Sequence, residues 1–398
     1  MPLRRVSVRG EGVEHLRVGT GIVYRKWVTL PEGTPTPGEL VRVEADDYVG
    51  CALWEPIGPV ALRMVSHWDC PYRTPREALR DRIQAAYRVR ERAGLARTGS
   101  YRLVNSDGDL LSGLIVDVFG GEIAVLQSSS LAVDRHIEVI AGIIADLTGV
   151  GHVYEKSVQR SRRAIGLEPR RRWIIGGKRR TIIEEGGARF IVDVEMGQKT
   201  GFYLDQRFNR LELRKYVHEG ARVLDLFSYT GGFGIHAALE GARYVLFVEE
   251  DPQAVSLLRE NLRLNGIRNY GIVNSSVWEV VDRRYEPPFD VVVVDPPAFI
   301  QSGDEPSVRR GLRAYFRSYK WATSQGSEEH VAYLSSCSYF LRKDMFVRLI
   351  RDVMASIRAD YWMLGSLRGA APDHVHRAAE YLDYLKGAFL YVRKKGGA

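Results

Sequence analysis

Two residues in the C-terminal half have side chains suited to covalent and acid–base chemistry, and each follows an apolar run. Asp295 ends the run Phe289 to Val294 and precedes two prolines, which forbid the strand to continue, in the segment FDVVVVDPPAF. Cys337 lies among serines at the end of HVAYLSSC. A thiolate can act as a nucleophile, and a carboxyl group can donate or accept a proton. The alternative for Cys337 is a buried structural thiol.

The stretch Arg222 to Gly241 is typical of the first strand, turn and helix of an open α/β sheet. Its apolar run Val223 to Phe227 contains one acid, Asp225, and is followed by a glycine turn and an Ala- and Leu-rich helical pattern. Such sheets bind their ligands at the carboxyl ends of the strands. Glycines there let the backbone approach a ligand, and the helix N-terminus offers N–H groups.

Two kinds of ligand are compatible with this turn. Residues 232–237 match the G-x-G-x-x-A form of a dinucleotide fingerprint, which would indicate a dehydrogenase. In that fingerprint the glycines follow the strand directly, whereas here Ser228, Tyr229 and Thr230 intervene. An acid inside the first strand and a wider glycine turn instead resemble motif I of S-adenosylmethionine-dependent methyltransferases. Glu249, at the end of the next apolar run, is placed to hold ribose hydroxyls.

The order of these segments favours a methyltransferase. In its doubly wound sheet the strand after the Asp-Pro-Pro strand lies beside it, so Asp295 and Cys337 are predicted on neighbouring strand tips facing the cofactor. Carbon 5 of a pyrimidine is too weak a nucleophile to take a methyl group unaided. A thiolate that adds to carbon 6 activates it, and an acid near N3 and N4 stabilises the charge. Cys337 and Asp295 fit these two roles.

The composition indicates a soluble protein of two or three domains. The chain has 398 residues, and Lys plus Arg outnumber the acids by 57 to 49, which gives a net charge of +8. This excess suits a polyanionic partner without proving one. No apolar run reaches membrane-spanning length and the N-terminus lacks a signal-peptide core, so we expect a cytoplasmic protein.

The three cysteines, Cys51, Cys70 and Cys337, are sparse and lack C-x-x-C spacing. This number and spacing argue against a disulfide framework and against a structural zinc site. The nine histidines are scattered along the chain, and we expect no metal.

The N-terminal half alternates strand and helix signals. Residues 1 to about 70 read as short strands without a helical period, with a hairpin that turns at Asp46 and Asp47, and this pattern predicts a small β-barrel. A helix then begins with Thr74 as N-cap and Pro75 as first residue. Further strands, a second helix and the hairpin TIIEEGGARFIVDVE lead into the catalytic half.

The densest basic patch lies between Arg160 and Arg180, where Glu168 is the single acid and Trp173 adjoins three consecutive arginines. Arginine beside an aromatic ring suits phosphate contact and base stacking, and a merely solvated surface is the alternative. The predicted RNA-binding residues are Arg160, Arg162, Arg163, Arg170, Arg171, Arg172, Lys178 and Arg179.

Four segments in this order, GQKTGFYLDQRFNR, VLDLFSYTGGFG, VVDPPAF and SSCS, resemble the rRNA cytosine-5 methyltransferases that carry an N-terminal PUA domain, a small RNA-binding barrel. ELVRVEADDYVG, YRLVNSDGD and PDHVHRAAEYLDYLKG extend the resemblance over nearly the whole chain. It implies a PUA-like barrel over residues 1–73, a middle α/β domain over 74–195 and a Rossmann-like class I methyltransferase domain over 196–398. It also implies S-adenosylmethionine as the donor and Cys337 as the attacking thiol.

The same resemblance implies which residues contact S-adenosylmethionine. They are Lys199, Phe202, Arg207, Asp225, Phe227, Tyr229, Thr230, Gly231, Glu249, Ser276 and Asp295. At Ser276 the relatives usually carry an aspartate that contacts adenine, and the pair Asp373-His374 is followed here by Val375 rather than proline. The segment around Asp295, Pro296 and Pro297, which corresponds to motif IV of these relatives, holds no second cysteine. A second thiol there cannot release the product.

The predicted function is therefore the formation of 5-methylcytosine in RNA. We expect the substrate to be large-subunit rRNA, as naked RNA or as an assembly intermediate, and the enzyme to be a monomer or homodimer. A purine methyltransferase is the first rival, but such enzymes generally place an aromatic directly after the two prolines, where this chain has Ala298 before Phe299. A non-catalytic RNA-binding protein is the second rival, and the intact acids Asp225, Glu249 and Asp295 argue against it. No residue stands out as the base for the carbon-5 proton.

Overall fold

A computed structural model describes residues 2–377 and 380–395 of the chain. By their contacts these residues divide into two compact units. Unit 1 comprises residues 2–184, 192–204, 372–377 and 380–382, and unit 2 comprises residues 185–191, 205–371 and 383–395. Two alanines of the segment PDHVHRAAEYLDYLKG and the last three residues of the predicted third domain lie outside the described residues.

Unit 1 begins with a barrel-like sheet of six short strands in the order β2-β6-β5-β4-β1-β3. The elements are β1 (Arg5–Val8), α1 (Glu11–Arg17), β2 (Ile22–Tyr24), β3 (Val28–Thr29), β4 (Leu40–Ala45), β5 (Tyr48–Trp54) and β6 (Val60–His67). The predicted hairpin is confirmed, because β4 and β5 pair antiparallel around the turn at Asp46 and Asp47. Helix α1 was not predicted, since seven residues are too few to display a helical period.

Cys51 and Cys70 form a disulfide, which corrects the prediction that the cysteines build none. Cys51 lies in β5, and its antiparallel neighbour β6 ends shortly before Cys70. This pairing brings the two α-carbons to 4.9 Å although 19 positions separate the residues in the chain. The spacing matches no motif, so the bond follows from strand pairing alone.

Unit 1 also contains a five-stranded sheet, ordered β11-β10-β9-β8-β7, that packs with helices. Its elements are α2 (Pro75–Arg92), β7 (Tyr101–Asn105), β8 (Leu114–Phe119), β9 (Ile123–Ser128), α3 (Leu131–Asp134), α4 (Ile137–Thr148), β10 (His152–Ser157), α5 (Arg160–Ala164) and β11 (Arg170–Ile175). The predicted start of α2 is confirmed, with the Thr74 side chain accepting from the Glu77 N–H at 3.2 Å. Leu53 and Val65 of the first sheet join Leu79 and Ile83 of α2 in one apolar core.

Residues from late in the chain also belong to unit 1. The Asp373 carboxylate accepts from the Arg102 N–H at 3.0 Å, and the Arg90 guanidinium donates to the Asp373 carbonyl at 2.7 Å. Residues 196–204 likewise pack with unit 1, although both segments fall inside the span 196–398 expected for the third domain. The three-domain boundaries at residues 73 and 195 stay a prediction. The hairpin β12 (Arg180–Glu185) and β13 (Ala188–Asp193) forms a separate two-stranded sheet, as predicted.

Unit 2 contains a seven-stranded sheet in the order β16-β15-β14-β17-β18-β20-β19. Its elements are α6 (Arg207–Leu213), β14 (Arg222–Leu226), α7 (Gly232–Leu239), β15 (Tyr244–Glu249), α8 (Pro252–Leu264), β16 (Tyr270–Asn274), α9 (Val277–Val280), β17 (Phe289–Val294), α10 (Glu305–Ser324), β18 (Gly326–Ser336), α11 (Lys343–Ser356), β19 (Ala359–Met363) and β20 (Lys386–Lys394). The five strands from β16 to β18 are parallel, whereas β20 runs antiparallel to both β18 and β19.

Local sequence signals set the bounds of elements in unit 2. Helix α8 begins with Pro252 after the N-cap Asp251 and ends before Gly266, which takes the left-handed conformation with φ +69°. Strand β17 has the predicted bounds, Phe289–Val294. The strand order reverses between β14 and β17, and the carboxyl ends of these strands therefore border the crevice where such sheets bind ligands. Among the described residues no helix is both long and apolar enough to cross a membrane.

Candidate active site

The turn after β14 is held by hydrogen bonds to two acids. The Asp225 carboxylate, inside β14, accepts from the Gly234 N–H at 2.8 Å and so ties α7 to the strand. The Glu249 carboxylate, at the end of β15, accepts from the Tyr229 N–H at 2.7 Å and from the Asp251 N–H at 2.9 Å. Both acids are therefore structural supports of the turn as well as candidates for ligand contact.

The backbone of this turn is strained. Phe227, Tyr229 and Gly231 have φ values of +59°, +48° and +90°, a region that only glycine adopts without cost. A bulky residue keeps such a conformation only where the surrounding structure enforces it, and such residues cluster at ligand sites. The Thr230 hydroxyl oxygen is buried without a hydrogen-bond partner among the described residues. An unsatisfied buried hydroxyl in a strained glycine turn fits a site that a polar ligand completes.

Burial dominates the electrostatics of the three acids near the turn. It raises the pKa of Asp225 to about 8, with the charges of Asp295 and Glu249 adding to the shift and the Gly234 hydrogen bond opposing it. Burial likewise raises the pKa of Glu249 against its two backbone hydrogen bonds. Burial, more than the neighbouring negative charges, therefore favours the protonated form of Asp225 at neutral pH.

Asp295 lies at the carboxyl end of β17, as predicted, within a network of polar side chains. Its Oδ1 accepts from the Gln206 side-chain amide at 2.7 Å and from the Ser335 hydroxyl, and Gln206 in turn accepts from the Tyr333 hydroxyl at 3.0 Å. Burial raises the pKa of Asp295 to about 6, and the charge of Asp205 adds to the rise while the Ser335 and Gln206 hydrogen bonds oppose it. Its carboxyl group is thus fixed in direction and able to exchange a proton near neutral pH.

Cys337 directly follows β18, and β18 pairs in parallel with β17 with Leu334 opposite Val294. The predicted neighbourhood of the two strands is thereby confirmed. The Cys337 thiol lies 3.9 Å from the carbonyl oxygen of Pro296, the residue after Asp295, and it is partly exposed. Because Cys51 and Cys70 form a disulfide, Cys337 is the one thiol of the three cysteines. A thiol and a carboxyl group therefore share one edge of the sheet.

The turn that carries Cys337 is held on both sides. The buried Tyr315 hydroxyl of α10 contacts the hydroxyls of Ser336 and Ser338 at 2.8 and 2.7 Å. The Lys386 ammonium of β20 donates to the Ser338 carbonyl at 2.6 Å. Sequence reasoning missed Tyr315 and Lys386, as it missed Gln206, because each comes from a separate element and only the sheet brings them together.

The remaining predicted cofactor residues have varied surroundings. Ser276 is the N-cap of α9, its hydroxyl accepting from the Trp278 N–H at 3.4 Å, and Arg207 is buried with its Nε 3.7 Å from the Glu185 carboxylate. Lys199 and Phe202 belong to unit 1, where the Lys199 ammonium lies 4.7 Å from the centre of the Tyr203 ring and Phe202 is buried.

Three aromatic rings follow the carboxyl ends of the unit 2 strands. The centre of the Phe299 ring lies 6.0 Å from that of Phe227 and 5.6 Å from that of Trp278. Of these, only Phe227 was predicted as a cofactor contact. Flat apolar surfaces beside a glycine turn suit the adenine ring of a nucleoside ligand.

A buried ion-pair cluster packs against the glycine turn. Arg210 makes two hydrogen bonds of 2.6 and 2.7 Å with the Glu185 carboxylate, and the His236 imidazole lies 3.0 Å from the same group. Burial opposes the charge on Glu185, but Arg210 and His236 outweigh it and hold the pKa at about 2. A Cβ on Gly232 would meet the Arg210 side chain at 2.9 Å, so only glycine allows this close approach.

The predicted RNA-binding residues lie in unit 1 and most of them are exposed, but tertiary structure brings acids to several of them. Arg170 and Arg172 contact the buried acids Asp134 and Glu155. Lys178 pairs with Glu122 at 2.8 Å and Arg179 with Asp193 at 2.7 Å. Arg160, Arg163 and Arg171, which belong to the same prediction, are also exposed.

Arg162 requires a correction. It is 1% exposed and makes two hydrogen bonds of 2.9 and 2.8 Å with the Asp134 carboxylate. A buried bidentate ion pair is a structural element, and this side chain is not accessible to RNA. Trp173 is also engaged, because its indole N–H donates to Glu195 at 2.8 Å and its ring packs on Tyr154.

Comparison with known proteins agrees with this geometry. Residues 168–305 match the family model described as S-adenosylmethionine-dependent methyltransferase. A putative methyltransferase crystallised with SAH has the same fold, with a TM-score of 0.79 at 21% identity over 98% of this chain and 100% of that chain. A putative SAM-dependent methyltransferase from Streptococcus mutans gives a TM-score of 0.78 at 20% identity with the same coverage. The family match gives an S-adenosylmethionine-dependent methyltransferase with S-adenosylmethionine as its cofactor, and the two solved structures show the same fold.

Two relatives identify the family to which the chain belongs. A protein of Methanocaldococcus jannaschii named as a putative ribosomal RNA large subunit methyltransferase is 36% identical over 79% of this chain and 80% of its own length. Ribosomal RNA large subunit methyltransferase I of Aeromonas salmonicida is 31% identical over 93% of this chain and 95% of its own length. The chain belongs to the family of ribosomal RNA large subunit methyltransferases.

Proposed function

We propose that this protein transfers a methyl group from S-adenosylmethionine to carbon 5 of a cytosine in large-subunit ribosomal RNA. The observation that carries the proposal is the pairing of β17 with β18, which sets the Asp295 carboxyl and the partly exposed Cys337 thiol on adjacent strand ends. A thiol and an acid with a raised pKa at the ligand-binding edge are the two groups that carbon-5 methylation requires. The names of the relatives support RNA as the substrate.

The cofactor would be held by the glycine turn after β14 and by Glu249 at the end of β15. Tyr229, Thr230 and Gly231 offer backbone groups and the unpartnered Thr230 hydroxyl, while Glu249 is placed for ribose hydroxyls. Bound S-adenosylmethionine supplies an electrophilic methyl group on a sulfonium.

Cys337 and Asp295 act on the pyrimidine ring. The Cys337 thiolate forms a bond to carbon 6, and the electron pair of the 5,6 double bond becomes available at carbon 5. Asp295 holds N3 and the N4 amino group, and its raised pKa lets it share a proton with N3 as charge builds there. As carbon 5 takes the methyl group, the bond between that methyl and the sulfonium would break, with S-adenosylhomocysteine as the leaving group. Carbon 5 then loses its proton to solvent water, the 5,6 double bond forms again, and the bond between sulfur and carbon 6 breaks to release the thiolate.

The target base must leave its stack to reach the strand ends, so a loop or an unfolded assembly intermediate of the ribosome is a suitable substrate. We assign RNA contact outside the active site to the exposed basic residues of unit 1, among them Arg160, Arg163 and Arg171, and to the barrel-like sheet as a PUA-like module. A cytoplasmic location accords with this substrate.

The decisive experiment compares wild type with Cys337→Ala using tritiated S-adenosylmethionine and unmodified rRNA. We expect label on cytosine carbon 5 in wild type and a loss of at least about a thousandfold in the variant, because removing a covalent nucleophile has a cost of that order. Binding of S-adenosylhomocysteine should persist in the variant.

The matched control is Cys51→Ser with Cys70→Ser, which removes both other cysteines and leaves the thiol at position 337. This double variant should retain methylation at a temperature where it is folded. Label on a purine, or full activity in Cys337→Ala, would reject the proposal in favour of a purine methyltransferase.

A further inference from the structure

Lys386 is a buried cation beside the turn that carries the candidate nucleophile. It begins β20, and the antiparallel register with β18 places it opposite Ser336, the residue before Cys337. Its ammonium donates to the Ser338 carbonyl at 2.6 Å and to the Tyr384 carbonyl at 2.6 Å. The lysine thus holds the backbone on the far side of Cys337.

The charged and titratable groups around this lysine leave Cys337 as its natural counterion. The charge of Asp383 acts on Lys386, but its carboxylate pairs with Lys343 at 2.5 Å in an exposed position. From α10, Tyr315 and Tyr319 face Cys337, and burial together with the charge of Cys337 raises the pKa of Tyr315 to about 12. Both tyrosines therefore remain neutral.

Burial lowers the pKa of Lys386 to about 8, and the charges of Cys337 and Asp383 oppose that shift. Two carbonyl oxygens compensate only part of the desolvation of a buried ammonium. A thiolate on the adjacent turn would compensate the rest, and an ammonium in this position lowers the pKa of a thiol. An ammonium on Lys386 and a thiolate on Cys337 would therefore stabilise each other's charged forms.

We propose that Lys386 is a positioning residue that holds the Ser336–Ser338 turn and stabilises the thiolate of Cys337. The thiol proton leaves to solvent, and the charge that remains on sulfur is paired with the ammonium. The use made of the thiolate rests on the proposed function, but its formation can be measured without RNA or cofactor.

The test is the rate of alkylation of Cys337 by iodoacetamide in the full chain with its disulfide intact, followed by mass spectrometry from pH 5 to 10. In wild type we expect a midpoint below about 8.5, the ordinary value for a thiol. In Lys386→Met the midpoint should rise by about one pH unit, which slows alkylation near pH 7 about tenfold, with the same limiting rate at high pH. Lys386→Arg, which keeps a cation, should stay close to wild type.

Lys394→Met is a matched control. Lys394 lies on the same strand and also donates to two backbone carbonyls, those of Ser324 and Gly326, at the end of β20 remote from Cys337. Its replacement should leave the midpoint unchanged. The melting temperature of each variant separates a loss of charge from a loss of fold.

A wild-type midpoint at or above 8.5, or an unchanged midpoint in folded Lys386→Met, would overturn the inference. The wild-type and Lys386→Arg profiles decide the matter if Lys386→Met does not fold. The proposed function stands even if the alkylation test fails, provided that Cys337→Ala loses cytosine methylation. Label on a purine would reject the proposed function whatever the alkylation midpoint.

Discussion

Asp225 and Asp295 are both buried at the ligand edge of the sheet, and their environments raise their pKa values to different extents. Asp225 is buried with one backbone hydrogen bond, and its pKa is raised to about 8. Asp295 has Gln206 and Ser335 as donors, and its pKa is raised only to about 6. Near pH 7 the protonated form is favoured more strongly at Asp225 than at Asp295.

The protonated state of Asp225 makes a prediction about stability and pH. Between pH 4 and 8 the folded chain holds a proton that the unfolded chain releases, so higher pH favours unfolding. The contribution of Asp225 to the free energy of unfolding should therefore fall by about 1.4 kcal/mol per pH unit over this window. Asp225→Asn cannot titrate at this position, so its free energy of unfolding should not show this fall. Its stability relative to wild type should therefore increase as the pH rises.

Denaturant unfolding of both proteins at pH 5, 6, 7 and 8 measures the effect. The difference in unfolding free energy between wild type and Asp225→Asn is the quantity to follow, because other titrating groups cancel in it. A difference that does not change with pH would contradict a raised pKa for Asp225.

At the scale of the element, the strand–turn–helix unit from β14 to α7 depends on a glycine at its sharpest point. Gly231 has φ +90°, and a Cβ there would lie 2.4 Å from the Leu258 side chain of α8. Both the backbone conformation and the packing of the turn against α8 therefore exclude a side chain. The same turn presents Thr230 and Tyr229 to the proposed cofactor site.

We expect Gly231→Ala to destabilise the protein and to weaken binding of S-adenosylhomocysteine. Gly220→Ala is the control, since Gly220 has a similar φ of +83° but nothing within 4 Å of its Cβ position. The conformational cost is shared by the two variants, so Gly231→Ala should be less stable by about a further 1–3 kcal/mol from overpacking. Thermal unfolding and calorimetric titration check the two effects, and equal losses in both variants would show that packing against Leu258 is unimportant.

At the scale of the whole molecule, the net charge of +8 does not describe how the basic residues are used. Arg162 and Arg163 are adjacent in α5, yet the first is buried against Asp134 and the second is exposed. An ion pair inside the protein stabilises unit 1, whereas an exposed arginine is available for phosphate. Adjacent arginines therefore have opposite expected roles.

Arg162→Ala should lower the free energy of unfolding by about 3–5 kcal/mol, because it leaves a buried carboxylate without its partner. Arg163→Ala should leave stability unchanged and weaken binding of unmodified rRNA, with the salt-dependence slope of binding reduced by about 1. Thermal unfolding and filter binding at several salt concentrations measure both. Unchanged RNA affinity in Arg163→Ala would remove this residue from the proposed RNA surface.

Local patterns in the sequence were sufficient for much of unit 2. Residues 289–294 form a strand that ends at Asp295 because two prolines follow, and the bounds of α8 follow from its cap and its apolar spacing, which lie within one segment. The acid in β14 and the glycine turn predicted the ligand edge for the same reason. Properties that depend on neighbouring residues in the chain can be read from the chain.

Other features were decided only by the tertiary structure. The disulfide between Cys51 and Cys70, the ion pair of Arg162 with Asp134 and the contact of Lys386 with the Cys337 turn each join segments that no sequence motif links. Each depends on the pairing of strands and on the burial that follows from it. The sequence by itself determined which residues end the strands, whereas the sheet decided which of those residues meet and what charge they carry, because burial and opposite charges act through space.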